Sequence, residues 1–403
     1  MSTARNRPLY FFGMLSGDLA YQVQSVAVGW HVFTLGHRAF DLGLVGLALF
    51  LPTFVLALPA GVFSDRHDRR RIVTVTALLE AACVAAFVFA VYAHVTALAP
   101  YLAILTVIGV ARAFGVPAER ALLPNIVSAE SYQRVQATYA SLRELTVIGG
   151  PALGGVLVAL STPLALEVSA AALVACGVLL GALHIERTAR EELPLSWREA
   201  FEGLRFVRSQ PVLAGAISLD LFAVLFGGAT ALLPAFADGI FHAGPQGLGA
   251  LRSAPAAGAA LVAAFLARRP LRRRVGATLL VAVAGFGLAT IAFGLSRSFV
   301  LSLGLLAIVG GTDMVSVVIR NGLVQLNTPD AMRGRVNAVE AVFIGASNEL
   351  GAFESGTLAA AIGIVPSVVL GGTATLAVIA LWSIFFPPLR DADRIEAEPA
   401  STG

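Results

Sequence analysis

The chain has 403 residues, 57% hydrophobic and only 13% charged, with mean hydropathy +0.81 and formal net charge +3. Soluble globular chains are about 25% charged; half that charge cannot cover a water-soluble body of this length, which excludes an ordinary cytosolic enzyme. Cys83 and Cys176 both fall inside apolar runs, and the 40 Gly and 19 Pro show no short period, so disulfide scaffolds and collagen are excluded too.

A membrane-crossing helix needs about 20 mostly apolar residues. Such runs fall near 9–34, 42–63, 72–93, 98–120, 134–160, 163–184, 211–238, 246–267, 275–296, 299–325, 335–361 and 366–386. The expectation is an all-α membrane protein with twelve transmembrane helices. The runs are continuous rather than alternating, which excludes a β-barrel. The first is too long for a signal-peptide core and lacks a small-residue cleavage site, so it is expected to stay as a helix.

The basic residues are all arginine, and 21 of the 28 fall in alternate gaps. These are Arg5 and Arg7, the group Arg66 to Arg71, Arg134, the stretch Arg187 to Arg208, the group Arg268 to Arg274, Arg333 and Arg335, and Arg390 and Arg394. Only Arg38 and Arg297 lie in the other gaps, while Arg112, Arg120, Arg143, Arg252 and Arg320 lie within runs. Basic loops stay inside, so both termini are expected in the cytoplasm and the chain in the cytoplasmic (inner) membrane.

The long gap at 185–210 divides six runs from six. The expected organisation is an N-terminal bundle over 1–185, a linker over 186–210, a C-terminal bundle over 211–386 and a tail over 387–403. In the linker, Trp197, Phe201 and Leu204 recur at helical spacing between charges. That reads either as a short amphipathic helix at the membrane surface or as a linker with a few buried contacts. The halves also repeat: LLPNIVSAESYQRVQA after the fourth run matches LVQLNTPDAMRGRVNA after the tenth. At the same offset of 201, Gly109 meets Gly310 and Arg112 meets Asp313. Duplicated six-helix units belong to transporters that rock two bundles about a midplane site.

The loop after the second run reads Gly61-Val62-Phe63-Ser64-Asp65-Arg66-His67-Asp68-Arg69-Arg70-Arg71. It resembles the G-x-x-x-D-R-x-x-R-R loop of the major facilitator superfamily, and the whole chain fits that family. Segments such as EGLRFVRSQPVL look most like its drug- and siderophore-exporter branch, including enterobactin-type exporters. The resemblance implies a gating loop of Gly61, Asp65, Arg66, Arg69 and Arg70, with Asp65 facing the N-terminus of the eleventh helix, where bare N–H groups favour an anion. The fifth run carries Gly149-Gly150-Pro151-Ala152-Leu153-Gly154-Gly155, similar to the family's antiporter motif with Thr146 in place of its first Gly. That implies Gly150, Pro151, Gly154 and Gly155 seal this helix against the opposite half. Arg112 matches the Arg of the family's R-x-x-Q-G pattern, whose Gln is absent here.

Ionised groups are costly at membrane depth and mark function. Counted from the cytoplasmic ends at 1.5 Å per residue, Asp18, Arg112, Arg143 and Glu144 reach one level near mid-membrane. In the resembled fold the first and fourth helices line the cavity, which suggests an Asp18–Arg112 pair with Arg143 and Glu144 beside it. The second half supplies Asp220, Asp313, Glu340 and Glu349, and the acids Asp18, Asp220, Asp313 and Glu349 are the expected proton carriers. Glu119, Arg120 and Arg320 are read as local pairs near helix ends, and Glu80 and Glu167 as structural or near-interface residues. Tyr10, Phe12, Tyr21, Trp30, Phe222 and Phe226 offer an aromatic wall, lipid or core packing being the alternative for each.

The reading is a proton-coupled exporter of an amphiphilic small molecule, a drug or a siderophore, with protons and membrane lipids as further partners and a monomeric state. The alternatives are a lipid flippase or importer of the same fold, a non-transporting sensor, or a membrane enzyme. The six His are scattered without metal-ligand spacing, no nucleophile constellation is present, and neither cofactor nor metal is expected. The Arg clusters follow topology, so no nucleic-acid partner is implied.

Overall fold

Within hydrocarbon a backbone can satisfy its polar groups only internally, and a single apolar run does so as a helix. The structure, a computed structural model, describes residues 2–184, 197–271 and 273–393, and every regular element among them is helical. In chain order these are α1 (Ser2–Gly36), α2 (Ala39–Arg66), α3 (Arg69–Tyr92), α4 (Leu98–Arg120), α5 (Ala129–Leu160), α6 (Thr162–Gly181), α7 (Trp197–Ser209), α8 (Pro211–Phe226), α9 (Leu233–Gly239), α10 (Gly244–Arg268), α11 (Val275–Leu295), α12 (Phe299–Asn327), α13 (Asp330–Ile362), α14 (Ile364–Phe385) and the short α15 (Pro387–Arg390). Ten spans among the described residues are long and apolar enough to cross a membrane, α8 and α9 counting together as Pro211–Gly239. α1 and α13, of 35 and 33 residues, complete the twelve. They fall short in uniform apolarity because they carry Asp18 and Glu340, Glu349 and Glu354, the mark of helices with a polar face turned inward.

The seventh run, expected as one helix over 211–238, is broken. α8 stops at Phe226, Gly227 and Gly228 follow, and a 3-10 turn over Ala229–Leu232 leads into α9. Two adjacent glycines favour helix poorly, and a Cβ on Gly228 would meet the Gly351 carbonyl of α13 at 2.7 Å.

The chain forms two compact units: Met1–Leu195 with Ala237–Ser253, and Ser196–Phe236 with Ala254–Gly403. In the first, α1 packs on α5 and α6, α3 on α4 and α6, and α2 on α4. In the second, α8 packs on α13 and α14, and α11 on α12 and α14. The pattern is the same in both, and one pair of glycines shows why. A Cβ on Gly109 would meet the Leu49 carbonyl of α2 at 2.6 Å, and one on Gly310 would overlap the Pro255 carbonyl of α10. Small residues let membrane helices approach backbone to backbone, and the repeat places one at the same step of each unit.

α7 exists as a helix and docks on α13 and α8 within the second unit. A Cβ on Gly203 would meet the Arg335 carbonyl at 2.8 Å, Glu202 Oε2 pairs with Arg335 Nη1 at 3.1 Å, and Val207 joins the core with Ile217, Leu323 and Val336. The side chains of Trp197 and Phe201 lie outside the described residues, as do 185–196, Arg272 and 394–403.

Candidate functional site

Five helices of the first unit enclose a cavity of about 760 Å³. α1 contributes Tyr10, Asp18 and Tyr21; α3, Glu80; α4, Arg112, Glu119 and Arg120; α5, Tyr132, Tyr139, Arg143 and Glu144; α6, Leu173 and Cys176. From Tyr10 to Tyr21 the wall of α1 runs about 16 Å at 1.5 Å per residue. A volume of this order suits a drug-sized molecule.

Asp18, Arg112, Arg143 and Glu144 all line this cavity, but the ion pairing differs from the Asp18–Arg112 pair suggested by depth. Arg112 Nε reaches the two Glu80 carboxylate oxygens at 3.3 and 3.2 Å, and its Nη2 reaches Glu80 Oε2 at 3.2 Å and Gln24 Oε1 at 3.3 Å. Asp18 instead accepts from the Tyr139 hydroxyl at 2.7 Å and from Arg143 Nε at 3.3 Å. The cause is helix geometry. Residues four apart share a face, so Tyr139 and Arg143 present one ionic surface of α5 to α1, while packing of α3 beside α4 sets Glu80 across from Arg112. Glu80, read from the sequence as a structural or near-interface residue, is thus buried in the site. Glu119 also opens on the cavity, and among the described residues its carboxylate has no hydrogen bond or ion pair.

The second unit holds a tighter cluster. Arg320 on α12, only 4% exposed, pairs with Asp220 of α8, and its Nε donates to Glu340 Oε1 of α13 at 2.9 Å. Asp313, two turns earlier on α12, lines a small cleft with Asp220, Thr312, Ser316 and Phe286. It has no hydrogen bond or ion pair among the described residues. Two carboxylates thus hold one guanidinium and a third, Asp313, lines the cleft beside Asp220, an excess of negative charge that a proton or a cationic group can neutralise. Arg320, read from the sequence as a helix-end residue, is the hub of this cluster. Glu349 is half-buried nine residues beyond Glu340, about 13 Å along α13, and is not part of it.

The two units use related pieces in opposite order. At the repeat offset of 201, Arg112 corresponds to Asp313 and Glu119 to Arg320. In each unit one helix carries an arginine held by one or two carboxylates and, seven residues away, a carboxylate that makes no hydrogen bond or ion pair among the described residues. This charge swap is visible in the sequence once both positions are compared, yet neither Glu119 nor Arg320 stands out by depth alone.

In the loop between α2 and α3, Asp68 caps α3 by accepting from the Arg70 and Arg71 backbone N–H groups at 3.0 and 3.4 Å. Arg69 Nη1 donates to the Ala121 carbonyl at 3.4 Å, and Arg70 Nη1 to the Leu183 carbonyl at 2.9 Å. These two arginines therefore fasten the C-terminal ends of α4 and α6, whose last carbonyls lack helical partners. Arg66 is exposed, Gly61 has open space at its Cα, and the Asp65 side chain lies outside the described residues.

Along α5, Gly150 and Gly154 face Gln22, Val23 and Val26 of α1, and Pro151 is buried. Gly155 faces α10: a Cβ there would meet the Pro245 carbonyl at 2.6 Å, and one on Gly249 would meet the Pro151 carbonyl at 2.5 Å. Of the aromatic candidates, Tyr10 and Tyr21 line the cavity, Phe12 is 65% exposed, and Phe222 and Phe226 pack against the core of the second unit. Tyr132 and Tyr139 supply the rest of the tyrosine wall. Among the described residues no group of His, Cys, Asp or Glu is arranged to hold a metal.

Residues 8–402 match the family described as transmembrane secretion effector. The multidrug efflux pump Tap of Mycolicibacterium fortuitum is 29% identical over 413 residues, covering 98% of this chain and 99% of that protein. The enterobactin exporter EntS of Shigella dysenteriae is 26% identical over 322 residues, covering 78% of this chain and 76% of that protein. Among solved structures, a bacterial homologue of the iron transporter ferroportin, in an inward-facing state, is similar in fold with TM-score 0.72, covering 97% of this chain and 100% of that one at 17% identity.

Proposed function

Because the chain belongs to the transmembrane secretion effector family of the major facilitator superfamily, and is a multi-pass membrane transporter, we propose that it exports an amphiphilic small molecule in exchange for protons. The observation that carries the reading is the tyrosine-lined, ionisable cavity of about 760 Å³ within the first unit. Similarity to a multidrug pump and to an enterobactin exporter supports export as the direction.

Glu119 and Asp313 are the proton sites in this scheme. Each sits at membrane depth without a hydrogen bond or ion pair among the described residues, and an ionised carboxylate there is costly until a proton or a cation neutralises it. Asp18 exchanges between Arg143 and the cargo. A proton crossing 100 mV supplies about 2.3 kcal/mol, against about 1.4 kcal/mol for a tenfold cargo gradient, so one proton per cargo molecule suffices for uphill export. The loop from Gly61 to Arg70 serves as the cytoplasmic gate, and the small-residue face of α5 as the opposite seal. In this scheme both termini lie in the cytoplasm.

The test is flux of candidate dyes and siderophores from proteoliposomes under an imposed pH gradient. Wild type is expected to accelerate flux when the gradient is present. Asp18→Asn and Arg112→Ala are expected to reduce it, and Glu119→Gln with Asp313→Asn to uncouple it from pH. Flux that stays fully pH-driven in the double neutralised variant would remove the proton role of these two acids.

A further inference from the structure

Arg252 belongs to the part of α10 that packs in the first unit. It lies eight residues from the start of α10, about 12 Å at 1.5 Å per residue, which is close to mid-membrane. Its Nη1 donates to the Ser25 hydroxyl of α1 at 2.9 Å. Its Nε is buried and makes no hydrogen bond, and no carboxylate pairs with the guanidinium among the described residues. Ser25 is a neutral partner, already donating to the Gln22 carbonyl at 2.8 Å, and leaves the charge unmatched.

One turn back along α1, Tyr21 carries the Arg112 guanidinium over its ring at 4.8 Å. Residues four apart on a helix lie on one face, so a single strip of α1 meets two arginines. Arg112 is matched by Glu80; Arg252 is not. Nor is Arg252 loosely placed, because Gly249, one turn before it, is wedged against Pro151 and Gly155 of α5. An unmatched cation held rigidly at this depth is expensive, and it becomes favourable when a ligand brings the opposite charge.

We propose that Arg252 anchors an anionic group of the cargo, a carboxylate or a phenolate on an aromatic amphiphile, with the Tyr21 ring beside it for stacking. This rests on the export reading and sharpens it by naming the chemistry of the substrate. The guanidinium edge that includes the buried, unsatisfied Nε carries two parallel donors, the geometry that planar oxyanions accept. Arg252 is not itself a wall residue of the cavity, so the cargo's apolar body reaches it past Tyr21, which is one.

The experiment measures equilibrium binding of two xanthene dyes, anionic fluorescein and cationic rhodamine 6G, to detergent-purified protein by fluorescence anisotropy. Wild type is expected to bind fluorescein. Arg252→Met is expected to weaken that binding by about tenfold or more while leaving rhodamine 6G within about twofold, and Arg252→Lys to fall between because it keeps the charge but loses the fork. Without dye, Arg252→Met is expected to melt at a higher temperature, since an unmatched buried charge is gone. The proposal is overturned if wild type does not bind fluorescein, if Arg252→Met weakens both dyes equally or neither, or if that variant melts lower or fails to fold. Binding does not require transport, so absence of pH-driven flux would defeat the export reading separately.

Discussion

Glu80 and Arg112 face one another with side chains 12% and 19% accessible, and that decides what each is worth. A largely buried pair of this kind contributes little against an apolar replacement, but breaking it strands a charge, at about 3–5 kcal/mol. Arg112→Leu is therefore expected to lower unfolding stability in detergent by about that amount, and the double variant Glu80→Leu, Arg112→Leu to recover most of it. Thermal and denaturant melts of the three variants check this, and a double variant as unstable as the single one would show that the pair does more than cancel charge. The same pair marks the limit of what was legible at this scale. Counting along apolar runs gives depth, which sets Asp18, Arg112, Arg143 and Glu144 at one level, and all four line one cavity. It does not give the direction in which a side chain points round its helix, so neither the Glu80–Arg112 and Asp18–Arg143 pairings nor the places of Glu119 and Arg320 can be read from it. Arg252 was visible only as an arginine inside a run, because its lack of a counter-charge depends on what α1 and α5 bring beside it.

At the scale of elements, small residues do the positioning. Gly155 and Gly249 meet where α5 crosses α10, and a Cβ on either would come within 2.5–2.6 Å of a carbonyl oxygen of the other helix. Backbone cannot yield as a flexible side chain can, so Gly155→Val and Gly249→Val are each expected to cost about 1–3 kcal/mol. If both act by forcing the same two helices apart, their effects are not additive, and the double variant should lose less than the sum of the two. Melting temperatures of the single and double variants measure that coupling; strict additivity would mean the two glycines serve different contacts. The run Gly149 to Gly155 was legible as a close-packing face from composition alone, but its partner was not, since Gly249 lies in a different half of the chain. α7 tells a similar story. Trp197, Phe201 and Leu204 announce an amphipathic helix, yet its dock against α13, through Gly203 on the Arg335 backbone and Glu202 on the Arg335 side chain, depends on a residue over a hundred positions away. Gly203→Val is expected to detach it, read as faster proteolysis of the linker with the transmembrane helices still folded.

For the whole molecule, the apolar runs were readable as helices because lipid imposes one solution, a helix of about 20 apolar residues, on each crossing. What escaped was the interruption at Gly227 and Gly228, which hydropathy averages away, and the grouping of Ala237–Ser253 with the first unit, which no local property of those residues announces. Orientation remains the claim with the widest reach, since the placing of gate and proton sites depends on it. It comes from the arginines: basic loops are retained inside because translocating them is opposed. Exposed single cysteines in a protein lacking Cys83 and Cys176 put it to the test. His94→Cys, between α3 and α4, and Arg297→Cys, between α11 and α12, are expected to react with a membrane-impermeant maleimide on intact cells. Ser128→Cys, before α5, and Ser209→Cys, at the end of α7, are expected to react only after the membrane is opened. All four positions are exposed, so a silent site reports the membrane rather than burial. If Ser209→Cys were labelled from outside, the positive-inside count would be inverted, and the loop from Gly61 to Arg70 could not serve as a cytoplasmic gate.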